Sequence, residues 1–195
     1  FRDVVVNEPV VERIGSVARV TFRIEEGRPI IAQSIGFSGA EELIAKGLLD
    51  ELPLAEGDRL STLALDATRD SIIQRLSNQG YAYADVFRQV NRPGNPPSYD
   101  AVTTFEVVPG PATTYGDITV EGVETLGVGT VLRTSQLRRG DPYRRADVDE
   151  ASSRLYGLDI VRNVTVVPDT LLGVQNPTVD VAIIVQEGDA FRVRA

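Results

Sequence analysis

The chain has no cysteine, no histidine, no methionine and no tryptophan among its 195 residues. Without cysteine there are no disulfides and no thiolate metal sites, which suits a cytosolic or a bacterial periplasmic protein equally. Without histidine the commonest general base and the commonest metal ligand are missing. The absence of methionine reads as an excised fragment or a processed chain. Lys46 is the only lysine, so arginine carries almost all the positive charge. A net charge of −8 argues against an electrostatic hold on nucleic acid or on anionic lipid. Neither a signal peptide nor an apolar run long enough to span a bilayer is visible. The rest is ordinary globular composition, 42% hydrophobic and 25% charged.

One pattern recurs. Ala18, Val20, Phe22 and Ile24 alternate with Arg19, Thr21, Arg23 and Glu25, and the run stops at Gly27. That is the period of a half-buried strand. The pattern returns as Ala101, Thr103, Phe105, Val107 to Gly110, and again as Val179, Val181, Ile183, Val185 to Gly188. Its copies start 83 and 78 positions apart, too far for a solenoid repeat and right for a small domain used more than once. A unit of about 80 residues has a thin but viable core.

Read in order, residues 1–27 give half a domain, a strand over Arg2 to Val6, a turn at Gly15-Ser16 and a strand over Val17 to Glu25; the alternative reading makes this hairpin the start of the next domain. Residues 28–110 then give strand, helix, helix, strand, strand. The first strand holds Ile30, Ile31, Ile35 and Phe37. A helix is expected over Ala40 to Glu51, with Glu41 and Glu42 favouring its dipole. Ser61 or Thr62 can cap a longer helix whose stripe is Leu65, Ile72 and Leu76 and whose stop is Gly80. Tyr81 to Val90 reads as a strand, residues 91–97 as an exposed loop and Tyr99 to Val108 as the recurring strand. Residues 111–188 repeat the order. Strands are expected over Thr114 to Val120, Val161 to Val167 and Thr178 to Gln186, and helices over Thr130 to Arg138 and from about Tyr143 to Gly157. Gly57 to Gly80 spans 23 positions and Gly140 to Gly157 spans 17, so the second long helix should be shorter by a turn and a half. Residues 189–195 read as the start of a further repeat or of a barrel. Gly27, Pro29, Pro109, Gly110 and Pro111 join the units without a spacer and read as restricted hinges of a semi-rigid rod.

These residues resemble the polypeptide-transport-associated (POTRA) repeat. The resemblance is carried by the β-α-α-β-β order and by the closing Glu26-Gly27, Pro109-Gly110 and Glu187-Gly188. Further matches are Gly39 and Gly122, the pairs Gly57-Asp58 and Gly140-Asp141, and the helix ends Leu76-Ser77-Asn78-Gln79-Gly80-Tyr81 and Leu155-Tyr156-Gly157-Leu158. Leu158 to Val161 departs from the family, which often places a bulky aromatic there, so the pairing at Val161 is open by a residue or two. The resemblance implies an α+β class of tandem POTRA repeats, each a three-stranded mixed sheet covered on one face by two helices. It is to outer-membrane protein assembly factors of the BamA and TamA type. It implies a periplasmic location in a Gram-negative bacterium, attached to the outer membrane through a C-terminal membrane β-barrel of the parent chain. Unfolded outer-membrane proteins and periplasmic or lipoprotein accessory subunits are the implied partners. A second reading is the POTRA region of a two-partner secretion transporter with one dedicated substrate.

The implied contact is strand addition to sheet edges, placed at Ala84, Val86, Phe87, Arg88 and Val90 and at Val161, Arg162, Val164 and Val166. Tyr81, Tyr83 and Phe87 read as core packing or as an aromatic binding face, and Arg88 and Arg162 as charged guards against edge aggregation. No catalytic, cofactor or metal residue is expected. Asp147, Asp149 and Glu150 lack the loop and oxygens calcium requires and suit a helix first turn. Gly127-Val128-Gly129 lacks the third glycine of a dinucleotide fingerprint. Asn163-Val164-Thr165 matches a glycosylation acceptor but sits in an expected strand. A carboxylate-dependent hydrolase is the reading from a different class, and a deep pocket lined by two close acids would favour it.

Overall fold

The structure, a computed structural model, describes residues 4–44, 47–94, 99–170 and 176–188. Val5–Val6 (β1) pairs antiparallel with Ile24–Glu25 (β4), and Val10–Ile14 (β2) pairs with Val17–Thr21 (β3) across the Gly15-Ser16 turn. The strand expected from Arg2 is thus seen only as β1, with residues 1–3 outside the described part. The strand expected over Val17 to Glu25 is broken at Phe22 and Arg23. Ala18, Val20, Phe22 and Ile24 are all exposed, so the expected half-buried face is not buried. A two-stranded ribbon has no second layer against which to bury a side.

The first module runs Ile31–Ser38 (β5), Glu41–Ile44 (α1), Thr62–Asn78 (α2), Asp85–Asn91 (β6) and Asp100–Val108 (β7). Its sheet has the order β5-β7-β6, with β5 parallel to β7. β7 alternates as its sequence does, burying Ala101, Thr103, Phe105 and Val107. The Ser61 hydroxyl accepts the Ala64 N–H at 3.1 Å and caps α2. Leu65, Thr68, Ile72 and Leu76 form the buried stripe of α2 at spacings of one turn.

Two expectations change here. The helix over Ala40 to Glu51 is one turn, followed by Gly47 at φ 86° and Glu51 at φ 50°, which end helical geometry. The strand from Tyr81 starts only at Asp85. Tyr81 N–H donates to Leu76 O at 3.0 Å and Gly80 N–H to Ser77 O at 3.4 Å, with Gly80 at φ 100°. This nested pair closes the helix end and draws Tyr81 to Ala84 into a turn.

The second module runs Thr114–Glu121 (β8), Val128–Ser135 (α3), Arg145–Tyr156 (α4), Val161–Pro168 (β9) and Thr178–Glu187 (β10). Its sheet has the order β8-β10-β9, with β10 parallel to β8 and antiparallel to β9. The two helices lie on one side of it. Val131, Val148, Ala151 and Leu155 from the helices share a core with Tyr115, Val164, Val166, Val181 and Ile183 from the strands. α3 stops before the expected Arg138 because Gln136 turns to φ 61°. α4 starts after Tyr143, whose backbone N–H is held by Thr113 O at 3.0 Å. α4 has 12 residues against 17 in α2, the difference that the glycine spacing predicts.

Contacts gather the chain into two units, 1–39 with 49–71 and 87–106, and 40–48 with 72–86 and 107–195. The second half of α2 and the Gly80 turn therefore belong to the unit that holds the second module.

Candidate functional site

β6 and β9 each lie at a margin of a sheet, and β5 and β8 at the opposite margins. The candidate residues do not stand alike. Phe87 is 56% and Val90 41% exposed, and Arg162 is exposed. Val86, Val164 and Val166 are buried, so they can offer a partner only their backbone. Val161 is half-buried, and the register of β9 against β10 shifts beside it, between Gln186 and Glu187. Ala84 precedes β6 and lies in the turn. Arg88 forms an ion pair with Asp66 of α2, which ties its guanidinium across the module. Asn163 accepts the Tyr156 hydroxyl of α4 at 2.5 Å.

Tyr81 and Tyr83 do not join Phe87 on a strand. Tyr83 packs against the second module's core, and its Cβ lies 3.4 Å from where a Cβ on Gly110 would stand. Around it runs a strap that local sequence does not announce. Gly80 O accepts both the backbone N–H and the hydroxyl of Thr113, each at 2.8 Å. Ala82 N–H returns to the same hydroxyl at 3.3 Å. Arg144 precedes α4 and supplies no capping oxygen; Asn78 Oδ1, from the end of α2, accepts Ala146 N–H at 2.9 Å instead. The first turn of α4 is thus capped by a residue 68 positions earlier.

Two of the three acids of α4 are ion-paired. Asp149 pairs with Arg145 at 3.2 Å and Glu150 with Arg154. Among the described residues no group of three or more acids could hold a metal ion. Glu187 accepts the backbone N–H groups of Leu126, Glu124 and Thr125, each at 2.9 Å. These bonds, that of Leu126 first, hold its carboxyl below the usual glutamate range. Gly127 of the glycine run is simply the N-cap of α3. A shallow groove of about 730 Å³ includes Thr119, Pro168, Asp169 and Asp180. Of its two acids, Asp180 takes the Asp117 N–H on Oδ1 at 2.7 Å, and its backbone O accepts the Asp169 N–H at 2.8 Å. Burial raises the Tyr115 hydroxyl to about 12, and it donates to Arg144 O at 2.8 Å. Among the described residues no helix is long and apolar enough to cross a membrane.

Two successive modules of one order, each with a mixed sheet backed by helices, define a tandem array of small α+β domains. The family model described as POTRA, surface antigen variable number repeat, matches residues 30–110 and again 113–188. The chain belongs to this family. A crystal structure of BamA POTRA3-5 from Haemophilus influenzae is similar in fold, with a TM-score of 0.69 and 20% identity, covering 94% of this chain and 72% of that one. BamA from Haemophilus ducreyi lacking POTRA domains 1-3 gives a TM-score of 0.64 at 20% identity, covering 83% of this chain and 30% of that one. The chain thus spans less than a third of the H. ducreyi protein. No curated protein matches its sequence.

Proposed function

We propose that this chain is the periplasmic scaffold region of an outer-membrane β-barrel assembly factor, anchored by a barrel elsewhere in its parent protein. It receives unfolded outer-membrane proteins by strand addition, offers docking surface to accessory subunits, and performs no chemistry of its own. The observation that carries this reading is the margin strand repeated in both modules, β6 and β9. Pairing along a sheet margin uses backbone groups and is nearly blind to side-chain identity, which suits a protein that handles many clients. Phe87, Val90 and Arg162 are the exposed side chains along those strands. In the same reading Gly27 with Pro29, and Gly110 between Pro109 and Pro111, are points of restricted bending. Residues 1–27 are the closing hairpin of a preceding repeat, which would cover the exposed Val11, Val20 and Phe22.

The chain has no cysteine, so a single introduced one gives a unique attachment point. A photocrosslinker on Phe87→Cys is expected to capture purified porin diluted from urea, and not the same porin folded. Leu63, 80% exposed on α2, is the control site. Equal capture from both positions, or none from 87, defeats the proposal.

A further inference from the structure

α3 and α4 cover one face of the second module's sheet, and the side chains of the opposite face are exposed or half-buried. Cross-strand pairing lays that face out in rows. Thr119, Ala182 and Val167 form one row, and Glu121, Ile184 and Thr165 the next. Val167 is 44% and Ile184 45% exposed. The shallow groove of about 730 Å³ lies over the first row and runs on to Pro168 and Asp180. Its largely apolar floor therefore ends at a carboxylate. That carboxylate is fixed in place. Asp180 Oδ1 accepts the Asp117 N–H at 2.7 Å and lies over Gly116, where a Cβ would stand 2.0 Å from it. Any side chain at 116 would push Asp180 aside. Among the described residues nothing else bonds to the Asp180 carboxylate. The first module has Gln33, Ser34 and Val102 in the places of Gly116, Asp117 and Asp180, so the arrangement belongs to the second module alone. Arg139 reaches this end of the face and is matched by Asp117. Glu121 and Asp180 then leave the face negative.

We infer that the open face of the β8-β10-β9 sheet docks an amphipathic helix of a partner protein, one whose apolar stripe is flanked by arginine or lysine. The occupant follows from what the face offers. A sheet face presents side chains and no free backbone groups, so an occupant must satisfy its own backbone bonds, as a helix does. A second copy of this face would set Asp180 and Glu121 against like charge, and an anionic lipid surface would be repelled in the same way. A basic helix meets both features at once. Val167, Ala182 and Ile184 take its apolar stripe. One cationic side chain lies along the groove, its methylenes on Ala182 and Val167 and its charged head on Asp180. This inference deepens the accessory-subunit part of the reading above and rests on it.

The test titrates the whole chain with a helical peptide of about 18 residues, leucine along one stripe and arginine beside it, and reads backbone amide shifts. The expected result is shifts at Thr119, Ala182 and Ile184. Asp180→Asn keeps an oxygen for the Asp117 N–H and loses the charge, so it should weaken binding about tenfold, as should glutamine in place of the peptide's arginines. Equal binding by a scrambled peptide of the same composition overturns the inference, because it shows attraction without a face. Shifts that spare Ala182 and Ile184, or affinity unchanged in Asp180→Asn, overturn it too. Porin capture at Phe87→Cys reads the wider proposal separately: capture that persists confines the failure to this face, and loss of both defeats the scaffold reading.

Discussion

The Thr113 strap makes a quantitative prediction. Thr113 is 3% exposed, and valine fills the same volume without the hydroxyl. Thr113→Val removes the bond to Gly80 O at 2.8 Å and the one from Ala82 N–H at 3.3 Å. Gly80 O keeps its second donor, the Thr113 backbone N–H, so it is not orphaned. The Ala82 N–H loses its acceptor in a partly buried place. One bond lost without an orphan and one lost with an orphan together cost about 2 kcal/mol. Asn78→Ala removes the side-chain cap of α4 and costs about 1 kcal/mol. Asn78→Asp keeps an acceptor at a helix N-terminus, where negative charge is favoured, and should restore the loss. Urea unfolding followed by circular dichroism gives the totals, and amide exchange at Ala146 locates the second effect. Because both side chains hold one strap, the double variant should depart from additivity by about 0.5 kcal/mol or more. The reasoning fails if Thr113→Val unfolds at the wild-type midpoint with an unchanged slope, or if Asn78→Ala loosens α2 while α4 stays protected.

Two further substitutions test the cores and the loop clasp. Thr103 is fully buried and its hydroxyl has no partner among the described residues, so Thr103→Val should stabilise the chain by about 1 kcal/mol in urea unfolding; a destabilised variant would mean that the hydroxyl is satisfied. The Glu187 carboxyl is held below the ordinary glutamate value of about 4.3, so the folded state binds the proton less tightly than the unfolded one. Its contribution is therefore complete above that value and disappears as pH falls through the lowered one. The stability gap between the wild type and Glu187→Gln should accordingly be wide at neutral pH and narrow in acid, and a gap that widens on acidification contradicts the clasp.

What the sequence makes visible follows the range of the interactions. The alternation in β7 and β10 and the glycine stops around α2 and α4 are local, so strand faces and relative helix lengths can be read directly from the sequence. Gly80 announces the end of α2 too, but the bond from Tyr81 N–H to Leu76 O carries the chain through a turn, and the strand begins four residues late. The N-terminal ribbon shows a limit of another kind. Alternation identifies Val20 and Phe22 as one face without saying what covers it, and in this chain both are exposed. The capping of α4 by Asn78 leaves no local trace, because the cap comes from the preceding module and the residue at the usual position is Arg144. The contrast at the sheet margins lies between these cases. Glu56 and Arg139 stand at one position before the Gly-Asp pair of each module, so aligning the modules exposes the swap. Its meaning emerges only when the fold brings Glu56 to the N–H of Ile35, 21 residues away, and Arg139 to the carboxylate of Asp117.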